Sequence, residues 1–346
     1  MNSELREPAH SRDEFYAFSP GSVDRRPPPL AHSVLETIGN TPLVELSRVV
    51  RARGLRGRIL TKLEFMNPGS SKKDRVALEI VRRAKAEGAL HDGQTVVELT
   101  SGNTGTGLAI VCGALGHPFV AVMSRGNSVE RVRQMAAFGA EVVLVDQADG
   151  SAPGQVSGAD LALVEERTIA LVAEREAFRA HQFEHQGNVL AHQLHTGPEL
   201  WEQAGGRVDA FLDCVGTCGS FTGVMRCLRS LNPGVRGYLV EPANAAVLAG
   251  HPATSGRHQI QGAGYARTDL PFFAPELVDG YIQVTDAEAI AGARALAAEE
   301  GIFGGFSSGA HLAAALRLLE GPERNATVAF LVCDSGLKYL STSLFP

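Results

Sequence analysis

The sequence has no long uninterrupted apolar segment, no excess of positive charge and no cluster of cysteines. Its longest apolar stretch, 108–123, is broken by Gly-His-Pro at 116–118 and is shorter than the roughly 20 residues that a membrane-spanning helix needs. With 32 Lys and Arg against 38 Asp and Glu, the formal net charge is −6. These properties predict no membrane span and disfavour nucleic acid and anionic lipid as partners.

The distribution of cysteines and the first 32 residues indicate where the protein resides. Five cysteines are spread from Cys112 to Cys333 without the clustering of a metal site, which is typical of a reducing compartment. Residues 1–32 are polar and proline-rich and lack the apolar core of a secretory signal. We therefore expect a cytoplasmic protein with a flexible N-terminal extension over 1–32.

From Ser33 onward, short β-branched runs alternate with helical patterns, which predicts an α/β fold with a mostly parallel sheet. A chain of 346 residues suggests about two domains. A Gly- and Ser-rich stretch at 146–158 is the most obvious surface loop. The predicted strands are 58–62, 95–98, 119–123, 141–145, 210–215, 237–240, 281–284 and 327–332. The predicted helices include 74–87, 104–115, 129–138, 159–175, 189–203 and 286–299, the last with a capping box of Thr285 and Glu288.

Three Gly-rich turns, 100–105, 216–220 and 306–309, are each predicted to follow an apolar strand and to open a helix. Glycine lets backbone amides converge, hydroxyls add donors, and a helix N-terminus carries about half a positive charge. Each turn is therefore a candidate anion site. Lys72 and Lys73 lie between another turn and a helix start, and a lysine in a cleft beside a phosphate can form an imine.

Seven segments form a collinear series of motifs. They are SVLETIGNTPLVEL (33–46), NPGSSKKDR (67–75), TSGNTG (100–105), GTCGS (216–220), QGAGY (261–265), GFSSGA (305–310) and DSGLKYLST (334–342). In these segments the chain resembles the pyridoxal-phosphate enzymes of the cysteine synthase and cystathionine β-synthase family. The resemblance implies fold type II, tryptophan synthase β-like, with mostly parallel twisted sheets flanked by helices. It also implies an N-terminal domain over 33–183 with a movable subdomain, and a C-terminal domain over 184–346, which exchange the first segment.

The resemblance assigns roles to individual residues. Lys73 would be the catalytic Schiff-base lysine, because it precedes Asp-Arg as the family lysine does. Asn103 would hydrogen-bond the pyridoxal hydroxyl, and Ser307 would face the pyridine nitrogen. The cofactor phosphate would be bound by Gly216, Thr217, Cys218, Gly219 and Ser220. The substrate would be bound by Thr100, Ser101, Gly102, Thr104, Gln182, Gly262 and Tyr265.

The activity implied by the resemblance is β-replacement with pyridoxal 5'-phosphate as cofactor. L-serine or an activated L-serine, O-acetylserine or O-phosphoserine, would lose its β-substituent, and a nucleophile would add to the aminoacrylate intermediate. A neutral hydroxyl at Ser307 cannot stabilise a protonated pyridine as a carboxylate does, which suits prompt elimination rather than transamination. The resemblance further implies small amino-acid substrates and a homodimer.

Departures from the family pattern leave the nucleophile open. Lys72 occupies a position that is usually apolar, and the segments 184–186 and 124–127 differ from the usual Asn-Pro and Met-Pro-Glu types. Tyr265 directly follows the second glycine of its motif, as in the cystathionine β-synthase form. The alternative to a cysteine synthase-like activity is therefore a cystathionine β-synthase-like or diaminopropionate-type synthase that uses a larger thiol or an amine. Cys218 stands where glycine is usual, and we expect an ordinary φ there, since a left-handed one would cost about 1–2 kcal/mol.

One remote alternative belongs to a different class of enzyme. The HQFEH segment at 181–185 matches the H-x-x-E-H pattern of inverted zinc peptidases. In a helix, His181 and His185 would share one face, and Glu184 would act as a base. The sequence predicts a strand-to-loop passage here instead, and five-residue patterns arise by chance. Histidines elsewhere, His311 among them, have no readable ligand spacing and are interpreted as surface or core residues.

Overall fold

The computed structural model describes residues 30–151, 156–254 and 258–345, and residues 1–29 of the predicted extension lie outside the described part. Strands in the described part form two sheets. They are β1 (Leu43–Glu45), β2 (Arg58–Leu63), β3 (Val96–Leu99), β4 (Phe119–Ser124), β5 (Glu141–Val145), β6 (Phe178–Arg179), β7 (Ala210–Cys214), β8 (Arg236–Pro242), β9 (Gly280–Val284) and β10 (Thr327–Val332).

The larger sheet has the order β1-β2-β10-β7-β8-β9 and the smaller sheet has the order β5-β4-β3-β6. Every pair is parallel except β1 with β2. The predicted α/β class with mostly parallel sheets is therefore confirmed. The larger sheet combines strands from 43–63 with strands from 210–332, whereas 96–179 supplies the smaller one. The domain boundary at residue 183 stays a prediction.

Helices connect the strands and cover the sheets. They are α1 (Ser47–Ala52), α2 (Lys73–Ala86), α3 (Asn103–Leu115), α4 (Val129–Ala137), α5 (Gly158–Glu174), α6 (Gly187–Ala191), α7 (Gly197–Gln203), α8 (Gly219–Leu231), α9 (Asp286–Glu300) and α10 (Phe306–Glu320). None of the helices in the described residues is long and apolar enough to cross a membrane. The capping box of Thr285 and Glu288 at the start of α9 is confirmed.

Two expectations about helices need correction. The turn at 306–309 does not follow a strand, because α9 and a single bridge between Gly304 and Ser335 precede it. The predicted helix over 189–203 is divided into α6, a π-helical turn at His192–Thr196, and α7. Within this turn, His192 Nδ1 lies 3.0 Å from Thr196 Oγ1, a contact that apolar periodicity does not reveal.

Both faces of the larger sheet are buried. In β10, Val328 and Phe330 pack into one apolar cluster, whereas Ala329 and Leu331 pack into another. Successive side chains of a strand point to opposite faces, so two clusters mean two covered faces. The smaller sheet also contributes to two apolar clusters. With its faces filled, a parallel sheet of this kind binds ligands beyond the carboxyl ends of its strands.

A buried network of charges lies beside α2. Arg75 Nε is 2.7 Å from Glu64 Oε2, and Arg75 Nη1 is 2.7 Å from Glu199 Oε1 in α7. Lys62 of β2, which is fully buried, places its Nζ 2.8 Å from Glu199 Oε2. Because an unpaired buried charge is costly, this network holds α2, the helix that begins with Lys73, against β2 and α7.

Candidate active site

The segment after β10 holds the first residues of three helices together. The Lys72 N–H, just before α2, donates to the Cys333 carbonyl at 2.9 Å. The Gly305 N–H, just before α10, donates to the Asp334 carbonyl at 3.3 Å. Asn103 Nδ2, at the start of α3, donates to Asp334 Oδ2 at 2.7 Å. The N-termini of α2, α3 and α10 therefore converge at the carboxyl end of β10.

The two adjacent lysines have different surroundings. Lys72 Nζ lies 3.0 and 2.9 Å from the two carboxylate oxygens of Asp213 and donates to Ser220 Oγ at 2.8 Å. No residue in the described part hydrogen-bonds to the Lys73 amine. Burial and the nearby Lys72 ammonium lower the pKa of Lys73 to about 8. A larger fraction of this amine is therefore uncharged near neutral pH than in an ordinary lysine, which makes it the better nucleophile of the two.

The expectation of an ordinary φ at Cys218 is wrong. Cys218 directly precedes α8 and is left-handed, with φ 63° and ψ −4°. The physical reason is the short connection between β7 and α8. The chain must reverse its direction sharply there, and a residue in the left-handed conformation allows it. Alternation of right- and left-handed residues also makes successive backbone N–H groups converge into an anion-binding concavity. The loop therefore keeps the left-handed conformation at Cys218 despite the steric strain that a Cβ causes there.

The glycines of the 216–220 loop have no room for a side chain. A Cβ on Gly219 would lie 2.2 Å from Asn188 Oδ1, and a Cβ on Gly216 would lie 2.7 Å from the Gly262 carbonyl. Asn188 Nδ2 donates to Thr217 Oγ1 at 3.0 Å, while Asn188 Oδ1 is buried without a partner in the described part. Close packing thus requires glycine at both positions, and the Gly219 N–H donates to Thr217 Oγ1 at 3.2 Å. A Gly-rich loop that opens a helix is a typical anion site.

The left-handed conformation of Cys218 predicts a stability difference between two small substitutions. Cys218→Gly and Cys218→Ala both remove the sulfur, but only alanine keeps a Cβ in the left-handed region. We expect the free energy of unfolding in urea to be about 1 kcal/mol larger for the glycine variant. Equal stability, or a more stable alanine variant, would show that the loop has another conformation in solution.

Asn103 and Ser307 lie in the first turns of α3 and α10. Asn103 Oδ1 accepts a hydrogen bond from Lys338 Nζ at 2.6 Å, so Lys338 and Asp334 together orient the amide. The second N–H of this amide is left for a ligand. Ser307 is buried, and among the described residues its hydroxyl has no hydrogen-bonding partner. Both side chains therefore keep a polar group available at the convergence of the helices.

The structure brings the 100–105 loop and Gln182 together. Thr104 Oγ1 donates to Gln182 Oε1 at 2.6 Å. Thr100 Oγ1 accepts a hydrogen bond from a backbone N–H within the loop at 2.9 Å. Ser101 and Gly102 directly precede α3. The loop thus combines hydroxyl groups with the positive end of a helix, an arrangement that binds a carboxylate without an arginine.

The QGAGY segment forms another wall of the site. Its Gly264 N–H donates to the carbonyl of Val215, just before the 216–220 loop, at 2.7 Å. Gly262 also approaches this loop through its carbonyl. The Tyr265 ring meets Phe183 edge to face, with the ring centroids 5.8 Å apart. Because Phe183 follows Gln182 in the chain, Tyr265 lies close to the candidate substrate residues.

Glu98, buried in β3, holds the segment that contains Gln182. Its Oε2 accepts a hydrogen bond from the His181 N–H at 2.6 Å. Burial raises the pKa of Glu98 to about 7, against the lowering influence of Arg179 and of backbone N–H groups. This value lies above the ordinary 4.5, so the folded protein binds the proton more tightly than the unfolded chain does.

The raised pKa of Glu98 predicts a pH-dependent contribution to stability. The stabilising contribution of Glu98 is complete below pH 4.5 and is lost as pH rises through 7. The free energy of unfolding falls by up to about 1.4 kcal/mol per pH unit over this range. Glu98→Gln keeps an oxygen acceptor and cannot ionise, so it should remove this contribution. Urea unfolding of both proteins between pH 4.5 and 7 measures it. A difference in unfolding free energy that stays constant with pH would contradict the assignment.

The HQFEH segment does not form the zinc site of the remote alternative. Residues 181–185 form a turn rather than a helix, and His181 has a φ of 52°. His185 Nδ1 accepts a hydrogen bond from the Gly187 N–H at 3.0 Å. Among the described residues, three side chains lie close enough to ligate one metal ion, with their ligand atoms within 4.8 Å of one another. They are Asp213, His311 and Cys333, and none belongs to the HQFEH segment. The segment instead contributes Gln182 to the site described above.

Several residues of the site were not identified from the sequence. They are Asn188, Asp213, Lys338, Asp334, Arg131, which donates to the Ser101 carbonyl at 3.1 Å, and His311, whose Nε2 lies 3.3 Å from Asp213 Oδ1. Asp213 could have been recognised from the sequence, because it is the acidic residue of an otherwise apolar strand. A buried acid predicts a buried cation, and Lys72 is that cation.

Comparison with known proteins identifies relatives along nearly the whole described chain. A family model described as "Pyridoxal-phosphate dependent enzyme" matches residues 34–334. The O-ureido-L-serine synthase of Streptomyces lavendulae is 40% identical over 324 residues, which cover 92% of this chain and 93% of that protein. A cysteine synthase of Staphylococcus aureus is 38% identical over 319 residues, which cover 90% and 96%.

Solved structures have the same architecture. The crystal structure of O-ureido-L-serine synthase matches with a TM-score of 0.82 and 39% identity, covering 92% of this chain and 96% of that chain. The crystal structure of O-acetyl serine sulfhydrylase isoform 3 from Entamoeba histolytica matches with a TM-score of 0.86 and 36% identity, covering 94% of each. Identity at this level over most of both chains reflects common descent as well as a common fold.

Proposed function

The chain belongs to the pyridoxal-phosphate-dependent enzyme family, and we propose that it catalyses β-replacement on an activated L-serine. The family confirms the cofactor and the type II fold that the motifs predicted. The amino acids in the names of its relatives, cysteine and O-ureido-L-serine, differ in the group on the β-carbon. One enzyme framework that exchanges this group accounts for both names.

The observation that carries the proposal is the amine of Lys73, which has no hydrogen-bonding partner in the described part of the chain and lies among candidate anion-binding loops. The backbone of Lys73 packs closely against α3. A Cβ on Gly107 of that helix would lie 3.0 Å from the Lys73 carbonyl oxygen. The preceding residue, Lys72, contacts Ser220 of the 216–220 loop. The residues present fit pyridoxal phosphate, because they combine a reactive amine, a crowded loop rich in N–H donors, and the free polar groups of Asn103 and Ser307.

Each residue then has a task. Bound pyridoxal phosphate supplies an electron sink for the α-carbon of the amino acid. Lys73 would hold the cofactor through its amine and would take up and return the α-proton of the amino acid. Asn103 binds the pyridoxal hydroxyl, and Ser307 faces the pyridine nitrogen. The 216–220 loop binds the phosphate through its N–H groups and hydroxyls.

The substrate carboxylate is bound by the 100–105 loop and Gln182. The hydroxyls of Thr100, Ser101 and Thr104 and the N–H groups at the start of α3 neutralise it, and Gln182 adds a side-chain amide. A carboxylate held in this way would fix the orientation of the amino acid before the reaction, which is how binding lowers a reaction barrier.

Sulfide is the nucleophile of the main proposal, and one observation favours a larger one. Tyr265 is 47% exposed and lies beside Phe183 at the substrate end of the site. An aromatic wall offers packing to a planar or apolar nucleophile, whereas sulfide, with one heavy atom, needs none. The alternative is therefore a larger thiol, an amine, or the hydroxyurea-type nucleophile that the product O-ureido-L-serine requires.

The test supplies donors and nucleophiles separately. The purified enzyme is mixed with L-serine, O-acetylserine or O-phosphoserine, and the absorbance of the bound cofactor is followed. We expect a spectral change with at least one activated donor that reverses when the accepted nucleophile is added, with the new amino acid detected by mass spectrometry. No spectral change and no product with any donor would exclude β-replacement on this substrate class.

The homodimer and the cytoplasmic location are also proposals, supported by the resemblance to the family and, for the location, by five cysteines that form no disulfide with one another. The five cysteines, Cys112, Cys214, Cys218, Cys227 and Cys333, are free and buried. Light scattering of the purified protein during gel filtration would distinguish a dimer from a monomer.

A further inference from the structure

We propose that Lys72 is a second lysine of the cofactor site, whose ammonium, held by Asp213, supplies the positive charge of the phosphate-binding loop. This inference rests on the proposed function, since it takes 216–220 as the loop that binds the cofactor phosphate. It concerns the pair of Lys72 and Asp213, to which the sequence motifs assign no role toward the cofactor.

The first argument is the position of the ammonium. Lys72 Nζ donates to Ser220 Oγ at 2.8 Å, and Ser220 is the second residue of α8. The loop itself consists of Gly, Thr, Cys, Gly and Ser and contains no basic residue. Of the described residues, Lys72 is the cation that contacts this loop, through Ser220. A lysine at a phosphate-binding loop acts as a point charge toward the phosphate.

The second argument is the charge of Asp213. Its side chain is completely buried, and the Ser220 hydroxyl also hydrogen-bonds to its Oδ2. A phosphate bound at this loop would add negative charge close to a buried carboxylate, which is unfavourable without a cation. Lys72 spans both carboxylate oxygens, at 3.0 and 2.9 Å, and so offsets this repulsion.

The third argument is the fixed geometry of the acid. Asp213 Oδ1 accepts a hydrogen bond from the Cys214 N–H at 3.0 Å, and His311 Nε2 lies 3.3 Å from it. Cys333 Sγ lies 4.0 Å from the same oxygen. Asp213 is thus held from three sides, whereas the Lys72 side chain is 13% exposed. The carboxylate is a fixed anchor, and the Lys72 side chain is less completely enclosed than its partner.

The experiment separates the phosphate from the rest of the cofactor. Apo-enzyme is titrated with pyridoxal 5'-phosphate and, separately, with pyridoxal, which lacks the phosphate, and the dissociation constants are obtained from protein fluorescence. The variants are Lys72→Met, Lys72→Arg and the double variant Lys72→Met/Asp213→Asn. Lys85→Met, which removes a lysine that pairs with exposed Asp92, is the matched control.

Loss of one charge-assisted contact predicts that Lys72→Met binds pyridoxal 5'-phosphate roughly 10- to 100-fold more weakly. Binding of pyridoxal should change less than about threefold, and Lys72→Arg should retain most of the affinity for the phosphate form. The double variant should bind more tightly than Lys72→Met, because it also removes the buried negative charge. Lys85→Met should behave as the wild type.

The results distinguish the possible failures. If Lys72→Met weakens binding of both ligands equally, or of neither, the inference is wrong, although the wild type still binds its cofactor. If the wild type itself binds no pyridoxal 5'-phosphate, the proposed function fails. If Lys72→Met does not fold, the double variant, which lacks both charges, provides the test. Its preference for pyridoxal 5'-phosphate over pyridoxal should be smaller than that of the wild type. An unchanged preference overturns the inference.

Discussion

Replacement of Lys73 by alanine is expected to abolish covalent attachment of the cofactor and to lower turnover by roughly 10³-fold or more. Among the residues that the structure describes, none hydrogen-bonds to the Lys73 amine, and burial beside the Lys72 ammonium lowers its pKa to about 8, whereas the Lys72 amine is bound by Asp213. Borohydride reduction of the holoenzyme followed by peptide mass spectrometry locates the attachment.

The adjacent lysine is the matched control for this prediction. In the wild type, the reduced cofactor should be found on Lys73. Lys72→Met should keep this attachment at saturating cofactor, even though its affinity is lower. A label on Lys72, or a Lys73→Ala variant with wild-type turnover, would assign the reaction to the other amine and require a different reading of the site.

Glu199→Ala is expected to lower the free energy of unfolding by about 3–5 kcal/mol, because it breaks a buried network of charges. Glu199 binds both Arg75 and Lys62, whose side chains are 2% and 0% exposed. Its removal leaves Lys62 without its carboxylate partner, and Arg75 keeps Glu64 and the Thr41 hydroxyl. Urea unfolding followed by circular dichroism measures the loss.

An exposed ion pair provides the control. Glu299 pairs with Arg53 at 2.9 Å, with both side chains 32% exposed, so Glu299→Ala should cost less than about 1 kcal/mol. Similar losses for Glu199→Ala and Glu299→Ala would mean that the buried network contributes no more than a surface pair. In that case the network would not explain how α2 is held.

The same network predicts a response to acid. Burial alone raises the pKa of Glu199, but Arg75 and Lys62 lower it to about 2. Because this value is below the ordinary 4.5, the contribution of Glu199 to stability is complete above pH 4.5 and is lost as pH falls toward 2. Glu98 has the opposite sign, since its stabilising contribution disappears as pH rises.

Much of the fold was predictable because buried parallel strands appear as continuous apolar runs. The bounds predicted for β5 and β10 are those observed, and the predicted β2 is one residue short. The strands β1 and β6 were missed, because three and two residues are too few for a pattern to emerge. The antiparallel pairing of β1 with β2 likewise has no local signal.

The candidate site was partly predictable, because its loops are local motifs. Glycines and hydroxyls at 100–105 and 216–220 indicate anion sites before any fold is known. The left-handed φ of Cys218 was not predictable, since the residue type argues against it. The passage from β7 into α8 imposes it, and that constraint is visible only in three dimensions.

The order of motifs in the chain predicted a pyridoxal-phosphate enzyme through its resemblance to that family, with an amine, anion-binding loops and apolar strands to position them. The resemblance already assigned the reactive amine to Lys73, but only the tertiary structure gives a physical reason for the choice, because Asp213 binds the ammonium of Lys72. Lys72 and Asp213 are 141 residues apart, and only the pairing of β7 and β10 brings the start of α2 beside that acid. Local sequence cannot specify such a contact, because it depends on strands that join distant parts of the chain.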